Sequence, residues 1–465
     1  MALIKSISGI RGTIGGMPGE GLTPVDVLNF TAAYGMWIKM QPGPHKVVIG
    51  RDARISGFWI ADLTMHVLRN QGIEVIDLGL STTPTVEFAV ENESAGGGII
   101  VTASHNPQNW NALKFLNASG EFISEEDGKL ILDISESQKF EFTPQNKIGK
   151  YRKIDDYIDR HIDRILGLPL VDVNAIRERN FKIAIDCVNS TGGIAVPKLL
   201  NALGVDRISA HYVEPNGHFP HNPEPVPENL TEISSEIENG TFDLGIVVDP
   251  DVDRLALISE NGTPFGEEYT LVAVADYVLQ NKKGNTVSNL SSTKALRDIT
   301  EKHGCEYFPA AVGEVNVVNV MKQHNAVIGG EGNGGVIYPE LHYGRDALVG
   351  IALFLTYLAR FGKPASFLRS SYPNYAISKN KIELTSDIDV DNILEHIRKK
   401  YIKQPINTID GIKIEFDDEW VHLRKSNTEP IIRIISESDV LSKAEFLANK
   451  IIDDIREIIS ETEFE

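Results

Sequence analysis

Cysteine is scarce in this chain of 465 residues, with Cys187 and Cys305 the only two. They lie far apart in a sequence with no sign of secretion, so two reduced thiols are expected and a disulfide-built scaffold is excluded. Long apolar runs are missing as well. The most hydrophobic helical stretch, 347–359, falls short of the about 20 residues that span a bilayer, and the opening Met-Ala-Leu-Ile-Lys-Ser-Ile-Ser has no apolar signal core. A cytoplasmic protein is expected. Positive charge is in deficit: 45 Lys and Arg against 65 Asp and Glu give a net charge of -20. Nucleic acid and anionic membrane surfaces would be repelled, and neither is an expected partner. A local basic pocket for a small anion remains compatible with this balance.

What is present is ordinary globular material, 42% hydrophobic, enough for several cores. At roughly 100–200 residues per domain the length suggests three or four domains. Short β-branched runs alternate with amphipathic segments, as in Lys46-Val-Val-Ile49, the helical stretch 58–70 and Ile73-Glu-Val-Ile76. This rhythm predicts parallel sheets covered by helices. Three apolar strands run straight into polar loops: 98–101 into Thr102-Ala-Ser-His-Asn-Pro107, 244–248 into Asp249-Pro-Asp-Val-Asp-Arg254, and 325–328 into Gly329-Gly-Glu-Gly-Asn-Gly-Gly335. Ligands of such sheets bind beyond the carboxyl ends of the strands. The expected architecture is α/β, with three similar mixed-sheet domains (1–150, 151–258 and 259–370) and a smaller C-terminal α+β domain (371–465) around one cleft.

Four segments carry chemistry. In Asp249-Pro-Asp251-Val-Asp253-Arg254, three carboxylates two residues apart sit between apolar strands, and a hard divalent cation is what would neutralise them. An EF-hand would also place Asp249, Asp251, Asp253 and Glu260 at ligand positions. Its sixth position should be glycine and is Arg254, and the flanks read as strands, so that alternative fails. Ser104, at the end of a buried strand and before an Asn-Pro turn, could be an exposed nucleophile. His105 follows it directly, and in an extended strand the two side chains would diverge. Arg424-Lys-Ser426-Asn427-Thr428-Glu-Pro430, with Arg433 beyond, offers the hydroxyls, amide and guanidinium groups that suit phosphate oxygens. Gly329–Gly335 has the glycine for close backbone approach, with Glu331 and Asn333 able to hold sugar hydroxyls.

These segments, in this order, resemble the α-D-phosphohexomutase superfamily (phosphoglucosamine mutase, phosphomannomutase, phosphoglucomutase). The resemblance covers essentially the whole chain. It implies that Ser104 carries phosphate in the active enzyme and, with Asp249, Asp251 and Asp253, holds one Mg2+. It assigns Glu331 and Asn333 to the sugar, and Arg424, Ser426, Asn427, Thr428 and Arg433 to the phosphate that does not react. Lys114 matches a candidate general acid/base, a role that needs a depressed pKa; His105 is the weaker candidate, with positioning of Ser104 as its other role. Arg11 and Arg254 match cleft arginines at the reacting end. The implied reaction interconverts hexose 6-phosphate and hexose 1-phosphate through a hexose 1,6-bisphosphate that turns end for end.

For the sugar, Glu314 in Val312-Gly-Glu-Val315 could meet an amino group, which favours glucosamine phosphate; the alternative is glucose or mannose phosphate. A rival enzyme class would use Asp251-Val-Asp253 as an aspartyl nucleophile pair, and a non-enzyme would use the acidic loop only to bind calcium or sugar. The partner expected is a sugar phosphate, and the chain a monomer or homodimer.

Overall fold

The computed structural model describes residues 2–6, 9–384, 388–425 and 431–462. Their strands form four sheets. The first has seven strands in the order Leu3–Ser6, Gly9–Thr13, Trp110–Leu116, Gly97–Val101, Lys46–Arg51, Glu74–Leu80 and Tyr151–Lys153. The second runs Leu255–Ser259, Leu244–Val248, Lys182–Asp186, Arg207–His211; the third runs Tyr307–Ala310, Thr286–Asn289, Ile328–Glu331, Gly335–Ile337. The fourth is antiparallel throughout and has five strands. This is the expected α/β architecture of three mixed-sheet units and a smaller fourth. Tyr151–Lys153 pairs in parallel with Glu74–Leu80, so the first sheet extends beyond the expected boundary at residue 150.

One local device recurs in the first three sheets. A fully buried strand, parallel to its neighbour on one side, is joined on the other to an antiparallel strand that follows it in sequence. The pairs are 97–101 with 110–116, 244–248 with 255–259, and 328–331 with 335–337. The candidate loops are the connections of these pairs. Burial on both faces accounts for the unbroken apolar runs Gly-Gly-Ile-Ile-Val and Leu-Gly-Ile-Val-Val. Gly97 is required by proximity, since a Cβ there would lie 2.2 Å from the Tyr34 hydroxyl oxygen. That hydroxyl donates to the carbonyls of Gly98 and Leu116 and so ties the helix Pro24–Met40 to the pair.

The second and third units share one continuous apolar core running from Ile158 to Tyr372. Its centre is the helix Ala347–Phe361, apolar on nearly every side because it is enclosed by protein. Among the described residues no helix is long and apolar enough to cross a membrane.

The loop 249–254 is held from both sides by main-chain bonds. Thr83 N–H of the first unit donates to Asp251 O at 2.8 Å, and Ala347 N–H of the third donates to Val252 O at 3.2 Å. Leu255 N–H donates to Gly334 O at 3.1 Å. Gly334 has φ +83°, and a Cβ there would stand 2.3 Å from Leu255 O, so only glycine permits this approach.

The fourth unit turns Val421 and Leu423 to its own core, while Trp420 and His422 alternate to the opposite face. That face meets the third unit. Lys413 Nζ donates to Leu290 O at 2.8 Å, Lys294 N–H to Glu437 Oε1 at 3.0 Å, and Val312 N–H to Asp410 Oδ2 at 3.0 Å. His422 Nε2–H donates to Asp410 O, which leaves Nδ1 to accept from the Ser291 hydroxyl at 2.9 Å.

Burial pushes the His422 imidazole down to about 4, with Lys413 and Arg424 adding to the fall against the opposing Asp410 contacts. A base whose folded pKa is depressed binds its proton more readily in the unfolded chain. Its contribution is therefore intact above about pH 6.5 and is lost as pH falls toward 4. Thermal denaturation across that window should show wild type losing stability more steeply than His422→Gln. Parallel curves would show that His422 does not couple this interface to pH.

Candidate active site

Ser104 leaves the first sheet three residues after Val101 and takes φ +49°, a left-handed conformation unusual for serine. Such a residue costs on the order of 1–3 kcal/mol and persists only where its surroundings impose it. Arg54 does so. Fully buried, it donates to four carbonyls of this loop: Ser104 O at 2.5 Å, Asn106 O at 2.6 Å, Pro107 O at 2.7 Å and Trp110 O at 2.9 Å. Asp52 neutralises Arg54 at 3.0 Å and accepts from the Thr102 hydroxyl at 2.7 Å, and that hydroxyl oxygen accepts from Ser104 N–H at 2.9 Å. The left-handed turn also brings His105 Nδ1 to 3.4 Å from Ser104 Oγ, correcting the expectation of divergent side chains in an extended strand. Burial, then Arg254, pushes His105 down to about 2, so its ring is neutral.

Folding brings together groups 145 residues apart. Ser104 Oγ–H donates to Asp249 Oδ2 at 2.7 Å. Asp249, Asp251 and Asp253 are each fully buried, with one oxygen apiece within 4.8 Å of the others. Val252 between them has φ +63°, a conformation that β-branched residues avoid. Asp249 Oδ1 accepts from the main-chain N–H groups of Asp253 and Arg254. Asp251 Oδ2 accepts from the Thr83 hydroxyl at 2.6 Å and from Lys114 Nζ at 2.7 Å. Asp253 Oδ2 accepts from Arg345 Nη2 at 2.7 Å. Asp251 Oδ1 and Asp253 Oδ1 are buried with no donor. Two orphaned carboxylate oxygens in a three-carboxylate cradle fit a hard divalent cation, which takes oxygen ligands.

The charges around the triad set its titration. Burial, then Asp253 and Asp251, pushes Asp249 well up. Burial also acts to raise Asp251, but Lys114 and the bonds it receives hold it below the usual carboxylate range. For Lys114 burial alone would lower the pKa; Asp251 and Asp253 outweigh it and raise it. The depressed lysine pKa expected of a general base is therefore not what this arrangement gives.

Arg345, which the sequence did not single out, links the triad to the glycine loop. Besides Asp253 it donates to Glu314 Oε2 at 2.8 Å and to Glu331 Oε2 at 3.0 Å. Glu331 Oε1 also accepts from Asn289 Nδ2 at 2.8 Å and Gly313 N–H at 3.1 Å. Glu314 and Glu331 thus have a cationic partner of their own, where the sequence suggested carboxylates free for a sugar. Asn333 Oδ1 accepts from Gly335 N–H and shapes that turn.

Arginines line the rest of the site. Arg11 Nε and Arg254 Nε are buried without an acceptor. Arg254 Nη1 donates to Glu224 Oε1 at 3.4 Å. Burial, then the positive charge of Arg433, lowers Arg11. Arg424 and Arg433 are direct cross-strand partners, and Arg424 Nε lies 2.8 Å from Asp410 Oδ2. Like charges gathered this way suit an anion. Ser426, Asn427 and Thr428 lie outside the described residues.

Comparison with known proteins agrees with this geometry. Family models of phosphoglucomutase/phosphomannomutase match alpha/beta/alpha domain I over residues 3–142, domain II over 157–262, domain III over 266–375 and the C-terminal domain over 381–454. A phosphoglucomutase/phosphomannomutase of Thermococcus kodakarensis is 37% identical over 440 residues, 93% of this chain and 95% of that protein. A phosphoglucosamine/phosphogalactosamine mutase of Sulfurisphaera tokodaii is 30% identical over 99% of both. The crystal structure of a phosphoglucomutase/phosphomannomutase family protein from Burkholderia thailandensis superposes with a TM-score of 0.84 at 25% identity, covering 99% of this chain and 98% of that one. The chain belongs to the phosphoglucomutase/phosphomannomutase family, isomerases of the phosphohexomutase type.

Proposed function

We infer that the chain interconverts glucosamine 6-phosphate and glucosamine 1-phosphate through a phosphorylated Ser104. The observation that carries the phosphoserine chemistry is the 2.7 Å contact between Ser104 Oγ and Asp249 within the buried triad. The name of the Sulfurisphaera relative, given for amino-sugar phosphates, favours an amino sugar. The second reading, glucose or mannose phosphate, is favoured by the name of the 37% identical relative.

Asp249, Asp251 and Asp253, with phosphate on Ser104, would hold Mg2+. Bound there, the ion would supply positive charge to phosphoryl oxygens and weaken the grip of Asp251 and Asp253 on the Lys114 proton.

Transfer breaks the bond between phosphorus and Ser104 Oγ and forms one between phosphorus and a sugar hydroxyl oxygen. The hydroxyl proton passes to Lys114, once that side chain has given up its own, or less favourably to His105, whose neutral ring stands beside Oγ. The Ser104 oxygen released takes up a proton and again donates to Asp249. Arg11 and Arg254 offer their unpartnered N–H groups to the charge that spreads over the transferring oxygens, so positioning and electrostatics supply most of the rate. The loop bearing Arg424, Ser426, Asn427 and Thr428, with Arg433, grips the phosphate that stays. Glu331, Asn333 and Glu314 border the sugar, their orientation fixed through Arg345 and the glycine turn. The bisphosphorylated sugar then reverses, and its other phosphate returns to Ser104.

Intact-mass analysis should find one phosphate on Ser104, stable to acid, and Ser104→Ala should lose mutase activity to background. Full activity of that variant with an acid-labile phosphate on Asp251 would instead establish an aspartyl nucleophile. Among glucosamine, glucose and mannose phosphates, kcat/KM should be highest for glucosamine. A preference of about tenfold or more for either other sugar, roughly 1.4 kcal/mol, overturns the amino-sugar assignment.

Arg54 positions the serine loop and is enclosed beneath it. Arg54→Lys cannot reach all four carbonyls, and a displacement near 1 Å costs on the order of a hundredfold. Steady-state kinetics should show kcat falling by about that factor with KM little changed. A kcat within about twofold of wild type would mean the loop holds without the fork.

A further inference from the structure

A second cluster of ligand-type side chains lies outside the catalytic site, where the first three units meet. His161 comes from the helix Tyr157–Leu166, His342 and Asp346 from the segment leading into Ala347–Phe361, and Thr85 and Glu87 from Thr83–Asn92. His161 and Asp346 are fully buried, and His342 is 6% exposed.

We propose that His161 Nε2, His342 Nε2 and Asp346 Oδ2 form a structural site for a divalent transition ion of the zinc class, one that fastens the three units together. His161 Nε2 lies 3.1 Å from Asp346 Oδ2 and His342 Nε2 lies 3.3 Å from the same oxygen. Tetrahedral zinc with bonds of about 2.0–2.1 Å sets its ligand atoms about 3.3 Å apart. Despite its closeness to Asp346, His161 Nε2 makes no hydrogen bond at all. Nε2 of each histidine and Asp346 Oδ2 lie within 4.8 Å of one another, as ligand atoms of one ion do.

The surroundings of one ring match what metal-bound histidines require. Each such ring normally gives its second nitrogen's proton to an acceptor, which fixes the tautomer and aims the other nitrogen at the metal. His161 Nδ1 is 3.1 Å from the Thr85 hydroxyl, and the ring stacks on Phe88. His342 Nδ1 faces Glu87 Oε2 at 3.5 Å without a hydrogen bond between them, so only His161 has its second nitrogen partnered. Glu87 is 2% exposed and neither of its oxygens has a hydrogen-bond partner; burial, then Glu314 and Asp253, pushes its carboxyl well up. Asp346 Oδ1 accepts from Leu348 and Val349 N–H at the start of the helix, so Oδ2 is the oxygen turned to the histidines, hydrogen-bonded to His342 Nε2 at 3.3 Å where no ion stands between them. Two imidazoles and one carboxylate select zinc-class ions over magnesium, which prefers oxygen and retains its waters.

The test uses the full chain, stripped of metal, equilibrated with zinc chloride in excess magnesium, desalted, and assayed by elemental mass spectrometry. Wild type should retain one zinc per chain and melt at a higher temperature with zinc than without. Asp251→Asn should retain that zinc, because the catalytic triad is a different site. His161→Gln and His342→Gln should lose it, and Glu87→Gln should bind about 10–100-fold more weakly. Should the histidine variants not fold, cobalt absorption of the wild type decides: a visible band of tetrahedral nitrogen–oxygen type supports the site. Its absence, undiminished zinc in both histidine variants, or loss of zinc only in Asp251→Asn overturns it.

Discussion

Burying Asp249, Asp251 and Asp253 within 4.8 Å of one another costs several kcal/mol per ion unless opposite charge is brought to them. The structure brings it from separate places. Lys114 arrives on the strand Trp110–Leu116 of the first unit and Arg345 from beside the third sheet, each at 2.7 Å from its carboxylate. Neither cation covers the whole triad, and the oxygens they leave bare face inward. The acidic cradle is thus a partly neutralised site, rigid because every arm that holds it is itself paired. Arg345 shows this most fully, since three carboxylates on three different segments compete for its one guanidinium.

The sheets explain how loops distant in sequence can be aligned so closely. Each of the three begins where a buried strand hands over to an antiparallel neighbour, so its two ends are fixed by one ladder. Main-chain bonds from Thr83 and Ala347 then clamp the middle loop between the first and third units. The fourth unit lies against the third through buried polar contacts around His422, Lys413 and Glu437, whereas the second and third share one apolar core. An interface of that kind leaves relative motion as the default.

Much of this was legible in the sequence. The serine and aspartate loops announce themselves because short polar runs interrupt strands that are apolar at every position, a contrast visible within ten residues. Arg54 and Arg345 were harder. Their work is done on carbonyls and carboxylates supplied by distant segments, and an isolated arginine in a loop looks the same whether it is solvated or enclosed. Arg54 sat in plain view after the strand Lys46–Arg51, yet nothing local says that it reaches the main chain at 104–110. His161, His342 and Asp346 were invisible for the same reason, being scattered over two units. The left-handed turn at Ser104 also escaped, because backbone handedness at a non-glycine residue is imposed by its neighbours.

Arg345 follows Asp253 by 92 positions, and that interval has a meaning during protein synthesis. A ribosome adding about 5–20 residues per second would take roughly 5–20 s to deliver the arginine after the aspartates have emerged. Throughout that time only Lys114, of the two cations that meet the triad, has been made. The guanidinium therefore acts as a late clasp on the nascent chain. A chain halted before residue 345 would display its negative charge to water.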